Sequence, residues 1–268
     1  MPPSRSPSRT PKPPEPIRLL RPMIAIGALA VVGFVLLVLP ASLAARFLPP
    51  QILAEDFSGT LWHGSAGKLT VNARNAGACE WHIHPLALLA LAVDAEVHWV
   101  RVSAVLDATV HLDRHGFRAQ DIRGSAPIEE FQDLGFAPGW RGTAAFNLPH
   151  VEGDFGKLTS LVGTVDINAL HSAGIAAGSD LGNYQLRLPP DALGPDGAIT
   201  ATIVDTGGPL ELQAQAHYAP DTHTGLLTGT LKERPEANAS LRDQLQNLTQ
   251  MRPRDAAGRI PIDLEFTL

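Results

Sequence analysis

Val100-Arg-Val-Ser-Ala-Val-Leu-Asp-Ala-Thr-Val-His-Leu-Asp113 decides the fold. Val100, Val102, Ala104, Leu106, Ala108, Val110 and Leu112 are apolar at every second position. Arg101, Ser103, Asp107, Thr109, His111 and Asp113 fall mostly between them. Strand side chains alternate between two faces, so a period of two buries one face and wets the other. The same period recurs in Leu210, Leu212, Ala214, Ala216 and Tyr218, and in Ile260, Ile262, Leu264, Phe266 and Leu268. Shorter cases are Val165-Ile167-Ala169, Tyr184-Leu186-Leu188 and Ile199-Ala201-Ile203. Turn-forming stretches such as Pro220-Asp-Thr-His-Thr-Gly225 separate them. Clean alternation with short turns predicts a mainly β chain, built as an antiparallel sheet with one wet face.

Helices are few. Leu241, Leu245 and Leu248 fall at i, i+4 and i+7 behind Ser240, a residue type that caps helices. Ile128, Phe131 and Leu134 suggest a shorter helix, with Pro127 in its first turn and Gly135 at its end. Parts of the chain resemble one another. Gly59-Thr60, Gly77 and then Trp81-x-Ile83-x-Pro85-x-x-Leu88 are echoed by Gly163-Thr164, Gly182 and Leu186-x-Leu188-x-Pro190-x-x-Leu193. This reads as a tandem duplication, with β repeats over 46–150 and 151–268. The two units would share one long curved sheet or form separate lobes.

The N-terminus is of another kind. No charge falls between Pro22 and Ala45, and Met23 to Leu39 contains no polar side chain. Roughly 20 apolar helical residues cross a bilayer core. Arg5, Arg9, Lys12, Arg18 and Arg21 precede the run against one acid, Glu15, and cationic flanks stay cytoplasmic. The expectation is a disordered, Pro-rich cytoplasmic tail over 1–21, a transmembrane helix over 22–45, and the remainder across the membrane. The rival is a cleaved signal peptide, with Ser42 and Ala44 as the small residues before a chain beginning at Ala45. Gly27, Ala28, Ala30 and Gly33 permit close helix approach within the span.

Composition narrows the function. The chain has 21 Lys and Arg against 27 Asp and Glu. Removing the tail's five bases and one acid leaves 16 against 26, a net charge of −10. Nucleic acid and anionic lipid surfaces demand the opposite sign. Cys79 is the single cysteine, so no internal disulfide forms.

No local string builds a familiar catalytic centre. Gly64-Ser-Ala-Gly-Lys68 fails as a phosphate loop, since Trp62 stands where its first Gly belongs and Leu69 follows the Lys. No Gly-x-Ser-x-Gly elbow is present. Glu129 and Glu130 belong on a helix surface, and Asp205, Asp221 and Asp255 lie in turn-like sequence. His82 and His84 share one strand face, opposite Trp81 and Ile83, with Cys79 close in sequence. Two such histidines can share a metal, but no third ligand stands at a recognised spacing. His63, His98, His111 and His115 add to the count, and a wet sheet face accounts for them all. No catalytic, cofactor-binding or metal-binding residue is assigned.

A basic tail, one apolar span, then Gly59-Thr-Leu-Trp62-x-Gly64-x-Ala66 and Trp81-x-x-x-Pro85-x-x-Leu88-Leu89 follow in order. This order resembles the general secretion pathway protein N family of bacterial type II secretion systems. The C-terminal run Leu241 to Leu248, then Gly258-Arg259 and the last strand, resembles that family's ending. The long Pro-rich tail and the region 249–253 depart from it. The resemblance implies a non-enzymatic, single-pass inner-membrane accessory component with its bulk in the periplasm. Its implied partners are other inner-membrane subunits of the apparatus, the outer-membrane secretin, or both. A different class of function is a periplasmic carrier of lipid or another apolar ligand in a concave sheet groove. If both faces near Val100–Leu112 are covered by other elements of the protein, no such groove exists.

Overall fold

The computed structural model describes residues 34–35, 37–48, 52–71, 74–134, 139–175 and 178–267. Thirteen strands form one sheet in chain order, every neighbouring pair antiparallel. They are β1 (Ile52–Gly59), β2 (His63–Val71), β3 (Arg74–His84), β4 (Val93–Arg101), β5 (Ala104–Leu112), β6 (Phe117–Pro127), β7 (Trp140–Asp154), β8 (Lys157–Ser172), β9 (Asp180–Leu188), β10 (Ile199–Gly207), β11 (Leu210–Ala219), β12 (Thr224–Glu233) and β13 (Ile260–Thr267). Three 3-10 helices, η1 (Ala41–Phe47), η2 (Pro85–Ala90) and η3 (Ile128–Leu134), and one α-helix, α1 (Ala239–Met251), complete the described elements.

Register carries the alternation across the whole sheet. Phe57, Ala66, Cys79, Trp99, Leu106, Gly124, Phe146, Val165, Leu186, Ile203, Ala214, Gly229 and Ile262 lie directly opposite one another, one from each strand. Directly paired residues share a face, so one apolar row crosses all thirteen strands. One residue along, the other face carries Ser58, Ser65, Glu80, His98, Asp107, Arg123, Asn147, Thr164, Arg187, Thr202, Gln215, Thr228 and Asp263. A slip of one residue anywhere would swap these rows, which is why the register is fixed.

The run that opens the chain's reading is two strands, not one. Val102 and Ser103 are the turn between β4 and β5, and Arg101 pairs with Ala104. The two-residue turn shifts the phase of the pattern. Val100 and Val102 therefore lie outside the apolar face and are exposed, while Arg101 turns to the side of Ala104 and pairs with Glu130 of η3.

The densest packing lies in the C-terminal half. Leu241 and Leu245 of α1 bury against Leu181, Leu210, Ala237 and Ile260, with Trp140 and Leu231 alongside. A second cluster joins Leu188, Ala192 and Ala201. Asn238, not Ser240, caps α1, its side chain accepting from the Leu241 N–H at 2.9 Å. The short element at Ile128 is a 3-10 turn, and Pro127 ends β6 before it. Asp205 belongs to β10 rather than a turn, whereas Asp255 accepts from the N–H groups of Ala257 and Arg259 in the loop before β13.

Strand β3, a connection, three strands, a helical element and a strand recur as β9 to β13. Gly77 and Gly182, at φ +93 and +106, take equivalent places in β3 and β9. A Cβ on Gly77 would meet the Val100 carbonyl at 2.2 Å, so the strands approach there only because it is absent.

The uncharged span 22–45 lies mostly outside the described residues. Phe34, Val35 and Leu37 are helical and exposed. Among the described residues no helix is long and apolar enough to cross a membrane. The span is not one helix to Ala45: Leu39 and Pro40 leave the helix, and η1 follows from Ala41, packed on β1 and β2.

Candidate functional site

Two features of the β1–β6 half concentrate exposed chemistry: one at an end of the strands, the other running from that end to the middle of β4–β6. The first is the end itself. Gly59, at φ +79, makes the turn between β1 and β2, where a Cβ would meet the His63 carbonyl at 2.3 Å. Trp81 Nε1 donates to the Leu61 carbonyl at 2.9 Å and its ring meets Phe57 edge-on at 6.4 Å. The Gly-Thr-Leu-Trp-x-Gly string and Trp81 are thus one device: glycines make room, and the indole ties the turn to β3.

Onto this turn comes the end of the apolar N-terminal run. The Leu61 N–H donates to the Leu39 carbonyl at 2.7 Å, and Pro40 forms a bridge with Thr60. On the turn's other side the Ile83 N–H donates to the Trp62 carbonyl at 2.7 Å. Residue 84 then leads into η2, where Leu86 and Leu89, with Leu91 at the C-cap, are 77%, 86% and 76% exposed. Strands lie about 4.8 Å apart. These leucines therefore start roughly 10 Å from the point where the apolar run reaches the sheet. Burying a leucine is worth ~1.5–3 kcal/mol, so a cluster left in water is a surface built to be covered.

The second feature is a histidine-rich cleft on the polar face. An open cleft of about 720 Å³ is lined by His63, Glu80, His82, Glu96, His98, Asp107 and Arg123, among others. Cross-strand pairing places His63 beside His82, and His82 beside Glu96. The rings of His63 and His82 lie 3.6 Å apart, those of His82 and His84 4.6 Å. His82 Nδ1 is 3.9 Å from Glu96 Oε2. Further along, His98 Nδ1 meets Asp107 Oδ1 at 2.5 Å and His111 meets Asp94. His115 pairs with Asp113 in the β5–β6 turn.

The sequence reading placed His82 and His84 together, and the sheet does so. Its companion, Cys79, is on the other face, between Ala66 and Trp99 in the apolar row, and burial pushes its thiol pKa up. The neighbours that do come to His82 and His84 are Glu96 and His63. They lie on other strands, and only the register joins them. Glu129 is exposed as expected, but Glu130 is half-buried against Arg101.

Among the described residues little lies over the apolar face of this half. In β1–β6 the fully buried apolar residues are alanines (Ala66, Ala95, Ala104 and Ala126), while Trp99, Leu106 and Val110 are half-buried. Among the described residues, β5 packs closely only with β4 and β6.

Comparison with known proteins bears on these features. Residues 50–263 match the family model described as type II secretion system (T2SS), protein N. The chain is similar to the type II secretion system protein N of Aeromonas hydrophila, 27% identical over 260 residues, covering 89% of this chain and 94% of that one. No solved structure matches the chain significantly.

Proposed function

The chain belongs to the type II secretion system protein N family, and from that premise we propose that it is a non-enzymatic assembly subunit held at the inner membrane, with its sheet in the periplasm. A role in type II secretion, with other components of that system, comes with the family. The membrane tether and the mode of docking are our reading.

One observation carries it. The end of the apolar run, at Leu39 and Pro40, is hydrogen-bonded to the same strand end that presents the bare leucines of η2. A membrane helix that ended there would hold these leucines close to the bilayer. The strand end would rest against the membrane, where it meets membrane-embedded subunits. Docking by strand addition is less favoured, because the edges are guarded. At β13 stand Pro261, Asp263 and Glu265, and η1 packs beside β1. The recurrence of β3–β7 as β9–β13 is read as a duplication that produced one double-length sheet rather than two lobes.

The test is photocrosslinking in intact secreting cells. A reactive residue at position 89 should capture an inner-membrane secretion subunit or lipid, and one at Val102, at the opposite strand end, should not. Equal capture from both positions, with no secretion subunit among the products, would sink the docking reading. A mature chain that begins at Ala45 and leaves membranes in alkaline carbonate would sink the tether.

The carrier of an apolar ligand remains the second reading, favoured by the thinly covered apolar face around Trp99, Leu106 and Val110. Solvent extraction of protein purified without detergent should then yield stoichiometric lipid. A lipid-free extract removes this reading.

A further inference from the structure

We propose that His82, His84 and Glu96, completed by His63, form a binding site for zinc or a similar divalent transition metal on the polar face. Ligating atoms of His82, His84 and Glu96 all lie within 4.8 Å of one another. The arrangement follows from the sheet. Residues two apart on a strand project side by side on one face, which sets His82 next to His84. Cross-strand partners stand directly opposite, which sets Glu96 of β4 on one flank of His82 and His63 of β2 on the other.

Three imidazoles and one carboxylate are a nitrogen-rich set suited to zinc, nickel or copper rather than magnesium or calcium. Zinc holds its ligands at about 2.0–2.2 Å, which places tetrahedral neighbours about 3.4 Å apart. His82 and Glu96 start at 3.9 Å, and His63, stacked on His82 and outside the group of three, must turn out of that stack to complete the set. The rings that stack within the cluster have no bulky side chain to displace: the cleft is open above them. Asp94 and His111 occupy the next row but are engaged with each other, and Asp107 is engaged with His98.

An ion here would join β2, β3 and β4 by side chains at the strand ends, beside the β1–β2 turn and immediately before Pro85 opens η2. It would fix the base of the leucine-bearing connection. The three imidazoles bind a metal only in their neutral form, so protons compete with the ion for them. Nothing in this inference depends on the secretion role.

The experiment is zinc titration of the purified full-length chain in detergent, by calorimetry and by zinc-dependent thermal shift. The expected result is one ion per chain and a rise in Tm. His82→Ala and His84→Ala should each weaken binding at least tenfold, and His63→Ala and Glu96→Gln should each weaken it several-fold. His111→Ala, outside the cluster, should leave it unchanged. All five changes are on an exposed or half-exposed polar face, and the Tm of each metal-free variant checks its folding. No saturable binding overturns the site. So does binding that persists undiminished in the His82→Ala/His84→Ala double variant. If only the two β3 histidines matter, the four-ligand site across three strands is likewise overturned.

Discussion

Gly64 and Trp81 occupy the same space: a Cβ on Gly64 would lie 2.6 Å from Cζ2 of the indole and 2.5 Å from the Thr60 carbonyl. The ring can lie over β2 only because β2 is bare there. Gly64→Ala is expected to cost about 1–3 kcal/mol, as overpacking does. Trp81→Ala loses the ring's burial, its contact with Phe57 and its bond to Leu61, and should cost about as much or more. Thermal unfolding of the two single variants and the double variant checks this. The double should be more stable than the sum of the singles predicts, since part of the alanine clash disappears with the ring.

Asp205 is the most buried carboxylate in a described ion pair, its side chain 10% exposed. It accepts from Arg234 at 2.5 Å and from the Leu212 N–H at 3.0 Å, joining β10, β11 and the end of β12. Removing one partner strands the other charge. Asp205→Ala should cost about 3 kcal/mol. Arg259→Ala, whose pairing with Asp255 is much more exposed, should cost below about 1 kcal/mol. Paired denaturation curves of the two variants decide whether burial sets the difference.

How much of this was legible follows from which interactions are local. The period of two is local, so the β class and the faces of β5, β11 and β13 were readable from the residues alone. Phase is not local: the turn at Val102–Ser103 continues an apolar alternation while reversing the chain, and Val100 and Arg101 fell on the wrong faces in consequence. Helix capping at Asn238 rather than Ser240 turned on two residues of backbone geometry. Asp205 looked like a turn former because its partner, Arg234, is 29 residues away. The histidine cluster was half visible. His82 and His84 share a strand, but Glu96 and His63 join them only through register across β2–β4.

Acid should weaken the C-terminal half through Glu233. The Arg254 guanidinium, hydrogen-bonded to both its oxygens, holds this carboxyl below the usual glutamate value. A depressed folded-state pKa gives stability that is complete above the unfolded value, near 4.5. That stability drains away as pH falls through the folded value. Arg254→Ala should therefore lower stability at pH 7 and flatten its decline between about pH 5 and 3. Tm measured against pH for both proteins tests it. Parallel acid limbs would mean the pair contributes nothing.

Among the described residues α1 is the longest helix packed on the sheet, and its two inward leucines should control the C-terminal half. Leu241 and Leu245 are 2% and 3% exposed, whereas Leu248, one turn on, is 46% exposed. Deleting a buried leucine side chain costs about 2–5 kcal/mol, depending on how far the site collapses. Leu241→Ala should fall in that range, and Leu248→Ala well below it. Asn238→Ala, which leaves the first turn uncapped, should cost about 1 kcal/mol. Because Leu241 packs on Leu181, Leu210 and Ile260, the loss should be uneven along the sheet. Hydrogen exchange of Leu241→Ala should rise in β9, β11 and β13 and change little in β2–β5, none of whose residues belongs to the buried cluster around α1. A uniform rise across all thirteen strands would mean the sheet unfolds as one unit, with α1 fastening the whole of it.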